Sequence, residues 1–172
     1  MNDDSKIKGF APIADAGAKI VILGSMPSIA SLQKQQYYGH RRNAFWPIML
    51  ELFSGPGDAD YRQRQQLLLA NHVALWDVLH SCQRSGSLDS NIAEESIKTN
   101  DFIGFFKRHP AIKQVFFNGA LAEKVYKKQV LPMLGEEFAY LQYRRLPSTS
   151  PAHAAMNLAQ KCDAWRLILQ FL

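Results

Sequence analysis

Residues Lys19–Trp46 read K-I-V-I-L-G-S-M-P-S-I-A-S-L-Q-K-Q-Q-Y-Y-G-H-R-R-N-A-F-W. The run Lys19 to Leu23 is apolar without polar alternation, as in a strand covered on both faces. It empties into a small-residue turn, Gly24-Ser25-Met26-Pro27-Ser28. Tyr37, Tyr38, His40, Arg41, Arg42 and Asn43 follow, then Phe45 and Trp46. Such a composition suits phosphates and bases, and it stands at the carboxyl end of a strand, where open α/β sheets bind ligands.

Outward from this stretch, three more apolar runs read as buried strands: Val73 to Asp77, Gln114 to Phe117 and Tyr140 to Arg144. Helical patterns separate them. Asn43 is a cap for a helix from Ala44 to Phe53, with Pro47 in its first turn and Gly55-Pro56-Gly57 as its break. Further helices are expected over Tyr61 to Ala70, about Asp101 to Arg108 (capped by Asn100 and stopped by Pro110) and Gly119 to Val130. A last one begins near Ala154 and carries Leu158, Cys162, Trp165 and Leu169. Alternating strands and helices predict an α/β fold with a mostly parallel sheet covered on both faces. The polar, turn-rich segment Ser81 to Ser90 follows the second strand, on the edge where a site sits.

The chain has 172 residues, which predicts one domain over 1–172 with a proper core. Its formal net charge of +5 modestly favours a polyanionic partner. No apolar run approaches the roughly 18 residues of a membrane helix, so no membrane partner is expected. The start, M-N-D-D-S-K, is acidic and has no apolar leader, which reads as an intracellular, cytoplasmic protein. Cys82 and Cys162 form no C-x-x-C pair, and the five histidines show no zinc spacing. A metal-free protein with no cofactor and no disulfide is expected, and nothing demands more than a monomer.

The residues leave several readings open. Gly24–Ser28 offers backbone N–H groups to an anion, or is a plain strand-to-helix connection. It is neither a Walker loop nor a nucleophile elbow. The Tyr37–Arg42 cluster places arginines on phosphates and a ring on a base, or forms a solvated turn. Phe45 and Trp46 read as core, although Phe45 at a helix start places a ring near a pocket. Asp77 ends a strand at the same edge, or pairs with an arginine. The loop Leu146 to His153, L-P-S-T-S-P-A-H, is rigid and polar enough to grip a phosphodiester, or is a loop with good turn chemistry.

Taken together, L-G-S-M-P-S, Q-Q-Y-Y-G-H-R-R-N-A-F-W, A-L-W-D-V-L-H-S-C-Q-R-S-G-S-L-D-S-N-I, F-F-N-G-A and L-P-S-T-S-P-A-H resemble the uracil-DNA glycosylase superfamily, within it the hypoxanthine (deoxyinosine) branch. The resemblance spans roughly Lys19 to Leu169. It implies a three-layer α/β/α sandwich with a short, mainly parallel central sheet of about four strands. It implies base excision by hydrolysis of the N-glycosidic bond in DNA carrying a deaminated base, and the lack of a lysine nucleophile in the motifs predicts an abasic product without strand nicking. Gly24 to Ser28 match the first motif, with Gly24, Ser25 and Met26 at the base. Phe45 matches the aromatic that stacks on the flipped base; Asp77, from its place at the same strand edge, is a further expected base contact. Ser148, Thr149, Ser150, Pro151, Ala152 and His153 match the DNA-clamping second motif. Arg41, Arg42 and the loop hydroxyls are expected on phosphates, and Ala152 and His153 at the insertion tip.

Two positions depart from the superfamily. Met26 stands where many members carry Asp or Asn, and Ser148 where the uracil-specific branch has histidine. The deoxyinosine branch likewise lacks the first-motif acid or amide and relies on an asparagine just before the F-W pair, so the resemblance implies catalysis centred on Asn43, with His40 or Asp77 as candidate helpers. The rival expectations are uracil as the main substrate, a non-catalytic nucleic-acid-binding module, and a serine hydrolase built from Ser25 or Ser28 with Asp77 and His153.

Overall fold

The computed structural model describes residues 6–172. The reading of an acidic, leaderless start rests mainly on residues 1–5, outside that range. In chain order the elements are β1 (Lys6–Lys8), β2 (Ile20–Gly24), α1 (Ile29–Lys34), α2 (Phe45–Leu52), α3 (Tyr61–Ala70), β3 (Val73–Asp77), β4 (Leu79–Gln83), β5 (Lys98–Thr99), α4 (Phe102–Arg108), β6 (Gln114–Asn118), α5 (Ala120–Val125), β7 (Gln142–Leu146) and α6 (Leu158–Trp165). No described helix is long and apolar enough to cross a membrane.

Four strands form one sheet in the order β3-β2-β6-β7, every neighbour parallel. The two-residue period of a strand then divides the core. Ile20 and Ile22 of β2, Val73 and Leu75 of β3, and Phe116 of β6 enter one cluster with Phe45, Trp46, Ile48, Met49, Leu68 and Trp165. Val21, Leu23, Ala74, Trp76, Val115 and Phe117 enter the other, with Phe102, Phe105, Phe106 and Tyr126. Helices α2, α3 and α6 thus cover one face, and α4 and α5 the other. This is the expected α/β/α sandwich. All of β2 is buried, which accounts for its unbroken apolar run.

Several local expectations are corrected. The fourth strand runs two residues later than Tyr140 to Arg144, because the backbone turns at Glu136–Phe138 and Gln142 is the residue that pairs with Gln114. The last helix starts at Leu158, not near Ala154. Asn157 and Gln160 form a reciprocal capping box there, and the preceding residues are turns. Within α6 and the 3-10 turns that follow, Cys162, Trp165 and Ile168 face inward, while Leu158 and Leu169 are exposed. Asp101, not Asn100, caps α4 through the Gly104 N–H. Part of Ser81 to Ser90 is strand, in a second antiparallel sheet ordered β1-β4-β5.

Candidate active site

Register brings four strand ends level. Gly24 pairs with Asp77, Leu23 with Phe117, and Asn118 with Leu146. A cavity of about 300 Å³ opens over these ends. Its floor is Gly24, Asp77 and Asn118, and its walls come from Ser25–Ser28, Tyr38, Asn43, Ser87–Asp89, Ser148–Ser150, Ala152 and His153. The size falls at the low end for small-molecule pockets, roughly 300–1,000 Å³.

The aromatic wall is Tyr38. Phe45 is fully buried and does not reach the cavity. It faces inward from the first turn of α2, and the Tyr38 ring stacks over it with centroids 4.1 Å apart and planes 26° apart. The expectation that the Phe45 ring reaches the cavity is corrected accordingly: Phe45 lies behind the Tyr38 ring, and Tyr38 is the ring that faces the cavity. Tyr38 holds a left-handed backbone, φ 53°, which is uncommon for an aromatic residue and concentrates at functional positions. The turn that carries it is anchored by Trp46, whose Nε1–H donates to the Tyr37 carbonyl at 2.8 Å.

Asn118 fastens two walls together. Its Nδ2 donates to Tyr38 Oη at 3.0 Å and to Thr149 Oγ1 at 2.9 Å, while its Oδ1 accepts the Thr149 N–H at 2.9 Å. Gly119 follows at φ 94°, where a Cβ would stand 3.1 Å from Ser148 Cβ. Glycine lets the chain turn away at once, so Asn118 stays under the cavity. Both residues lie in the quoted F-F-N-G-A segment, which signals a motif but not which polar atom faces inward.

Asn43 lines the cavity beside this lock. Its Oδ1 accepts the Phe45 N–H at 2.9 Å, so it caps α2 from one residue further out than expected, Ala44 taking the cap position. This bond leaves Nδ2 and one Oδ1 lone pair for the cavity. Asp77 is 4 % exposed, and its Oδ2 has no hydrogen-bond partner among the described residues. Burial, reinforced by Asp89 and opposed by Arg84, pushes the Asp77 carboxyl up to about 7. Gly24 lets Asp77 and Tyr38 converge. A Cβ there would lie 2.6 Å from Asp77 Oδ1 and 2.8 Å from Tyr38 Oη.

The segment after β4 closes the far wall. Ser25 Oγ donates to Asp89, the Ile29 N–H donates to Ser87 Oγ, and Arg84 donates to the Pro27 carbonyl. Arg84 and Asp89 belong to a segment expected at the site but carried no assigned role. The loop 148–153 lines the opposite side, except Pro151, which faces a neighbouring hollow. Thr149, expected among the phosphate contacts, is 1 % exposed and bonded inward to Asn118. Ser148 and Ser150 accept N–H groups of their own loop, and Trp165 Nε1 donates to Pro147 at 2.9 Å, which stiffens it. Arg41 and Arg42 are exposed and line the neighbouring hollow with Pro151, His153 and Lys161. His40 lies outside the cavity, its Nδ1 accepting the Arg42 N–H, so it cannot assist there. Neither Ser25 nor Ser28 is bonded to a histidine: their hydroxyls meet Asp89 and Ser31, which leaves the serine-hydrolase arrangement unformed. No group of three or more His, Cys, Asp or Glu suited to a metal occurs among the described residues.

The chain has relatives among known proteins. A family model described as the Uracil DNA glycosylase superfamily matches residues 11–172. A protein of Methanosarcina acetivorans named hypoxanthine DNA glycosylase is 37% identical over 134 residues, covering 73% of this chain and 84% of its own. One of the same name from Methanosarcina barkeri is 37% identical over 115 residues, covering 66% of this chain and 72% of its own. A solution NMR structure from Methanosarcina acetivorans, described as a candidate uracil DNA glycosylase, superposes with a TM-score of 0.75 at 32% identity. It covers 95% of this chain and 99% of that one. With the family model matching residues 11–172 of the chain, the protein belongs to the uracil DNA glycosylase superfamily.

Proposed function

We propose that this DNA glycosylase removes hypoxanthine from DNA, leaving an abasic site. The observation that carries the reading is the cavity itself: an aromatic platform, Tyr38, faces it beside Asn43 and an unpartnered Asp77. The names of the two Methanosarcina relatives support hypoxanthine as the base.

A nucleotide flipped out of the duplex places its base against Tyr38 and its C1′ near Asn43. The base stacks on the ring that Phe45 supports. Asp77 and the backbone N–H groups of Met26 and Ser28, which carry no hydrogen bond among the described residues, meet its polar edge. The N9–C1′ bond breaks through an oxocarbenium-like state. Asn43 orients the attacking water through its free Oδ1 lone pair; an amide does not ionise, so it acts by position. No lysine lines the cavity, which favours simple hydrolysis without strand cleavage. Arg41, Arg42 and Ser148 hold flanking phosphates, and Ala152 and His153 enter the duplex.

Replacing Tyr38 by alanine is expected to slow excision about 10- to 100-fold, the range of one base–aromatic stack. Tyr38→Phe keeps the ring and is expected to stay within about tenfold. Single-turnover rates check both, and a Phe45→Leu variant that loses more than Tyr38→Ala would return the platform role to Phe45. The function as a whole is tested with duplexes carrying one hypoxanthine, uracil or xanthine, or no lesion. Strand breaks that appear only after alkali, and most at hypoxanthine, are expected. Breaks mainly at uracil refute the base assignment, and bound DNA without breaks at any lesion refutes catalysis.

A further inference from the structure

Two large aliphatic side chains stand exposed beside the cavity. Leu88 lines its wall and is 52 % exposed, so it stands at the mouth and not in the depth. Ile29, 45 % exposed, comes from adjoining backbone: its N–H donates to Ser87 Oγ at 2.9 Å. Scattered exposed aliphatics are ordinary, but these two share one rim. Among the described residues that line the cavity, Leu88 is the one large apolar side chain left exposed.

The segment that carries Leu88 is braced. Arg84, itself buried, donates to the Gly86 and Pro27 carbonyls. Asn91 Nδ2 donates to the Ser85 carbonyl at 3.0 Å, and the Asn91 N–H donates to the Leu88 carbonyl at 3.0 Å. Ser25 Oγ ties Asp89 to the first turn at 2.9 Å. Little ordering entropy therefore opposes the use of Leu88 in binding. The same loop is a poor phosphate clamp. Ser85 to Ser90 reads S-G-S-L-D-S, without lysine or arginine, and its one charge is the acid Asp89. The cations lie on the side of the 148–153 loop, where Arg41, Arg42 and Lys161 share a hollow with His153.

We propose that Leu88 is an apolar wedge that enters the DNA base stack in the gap left by the flipped nucleotide, with Ile29 extending the apolar rim beside it. This rests on excision from duplex DNA and not on which base is removed. A nucleotide reaches the cavity only if the duplex lies across its mouth. A side chain at that mouth then faces the neighbouring base pairs. Flipping leaves two base faces without a stacking partner, and leucine is among the side chains that proteins insert between base steps. Having no polar atom, the Leu88 side chain can meet DNA only through such apolar surface. Ala152 and His153 face it from the 148–153 loop with a methyl and a polar ring, so the aliphatic volume comes from Leu88. Leu88 touches neither C1′ nor the departing base: it is a positioning residue that holds the gap open.

The test uses a duplex with one tetrahydrofuran abasic analogue beside a 2-aminopurine, whose fluorescence reports its stacking. Saturating wild type is expected to shift the signal, and Leu88→Ala to leave it near the free-duplex value. The Kd of Leu88→Ala for this duplex is expected to rise about 10- to 100-fold, the worth of burying one leucine side chain. Its Kd for the same strand unpaired should stay within about twofold, because a single strand has no gap between stacked pairs. Leu88→Phe fills the gap again and is expected to restore most of the affinity and the fluorescence shift. The Tm of Leu88→Ala should hold, since the side chain is exposed. Equal weakening on duplex and single strand overturns the proposal, because the loss is then not tied to the stack. A wild-type fluorescence shift that persists in Leu88→Ala overturns it too, and moves the wedge to Ala152 and His153 if His153→Ala abolishes it. Wild type that leaves the signal at the free-duplex value also overturns it. No base is excised in these measurements, so wild type that behaves as expected here yet releases no hypoxanthine refutes that base assignment alone.

Discussion

Asn43→Ala is expected to lower single-turnover excision by about 10²–10³-fold while the protein stays folded. The size follows from removing one positioned polar group from a water-excluded reaction site. The alanine variant loses both the Nδ2 donor and the Oδ1 lone pair that face the cavity. It also loses the bond that Oδ1 accepts from the Phe45 N–H. That cap is worth about 1 kcal/mol, which at this chain length lowers Tm by roughly 2–4 °C. Binding of lesion duplex should fall far less than the rate, since Tyr38 and the exposed Arg41 and Arg42 remain. Asn43→Asp sharpens the comparison. It keeps the cap acceptor and should melt near wild type. A variant whose rate loss only mirrors its lost stability would make Asn43 a structural cap and nothing more.

Gly24→Ala produces the second large effect, and for a different reason. The added methyl would lie 2.6 Å from Asp77 Oδ1 and 2.8 Å from Tyr38 Oη, closer than real Cβ contacts allow. Neither neighbour gives easily. Asp77 is buried, and the Tyr38 ring is stacked on Phe45 while its hydroxyl is held by Asn118. The smallest adjustment therefore moves the two groups proposed to meet the base. Excision is expected to drop at least about 100-fold, because misplacement by about an ångström suffices for that. Stability should fall by about 1–3 kcal/mol, as for other overpacked sites. Gly57→Ala is the control: a Cβ there meets nothing within 4 Å, and both rate and Tm should hold. Full activity in Gly24→Ala would mean that the close approach of Asp77 and Tyr38 is irrelevant to the reaction.

Much of the sheet is readable from residues alone because its strands are covered on both faces. Val73 to Asp77 is apolar up to the aspartate and bounded by turn residues, and its limits are those observed. Helix α3 is equally plain, since Asp60 and Gln63 form a capping box at its start. The second sheet is not readable. Its strands β1 and β5 have three and two residues, and β4 alternates His and Gln with buried Leu and Cys, too short and polar to stand out from a loop. At the site, the strand-exit argument places Gly24 and Asp77 correctly on one edge. The aromatic wall is mislocated for a definite reason. Spacing from Asn43 favours Phe45, but the face of α2 that carries it turns towards Trp165 and the core. Tyr38 reaches the cavity through a left-handed residue in a turn without periodicity. Asn118 is equally hidden, because a hydrogen bond to a residue 80 positions away leaves no local pattern.

The most direct test of the central claim is to count the products. Duplex DNA with a single hypoxanthine is incubated with purified wild-type protein, free bases are identified by mass spectrometry, and alkali-labile sites are counted in the same sample. The account predicts free hypoxanthine in one-to-one ratio with new abasic sites, no strand break before alkali, and loss of both products in Asn43→Ala. Release of uracil but not hypoxanthine from matched duplexes, or strand cleavage without free base, would contradict it.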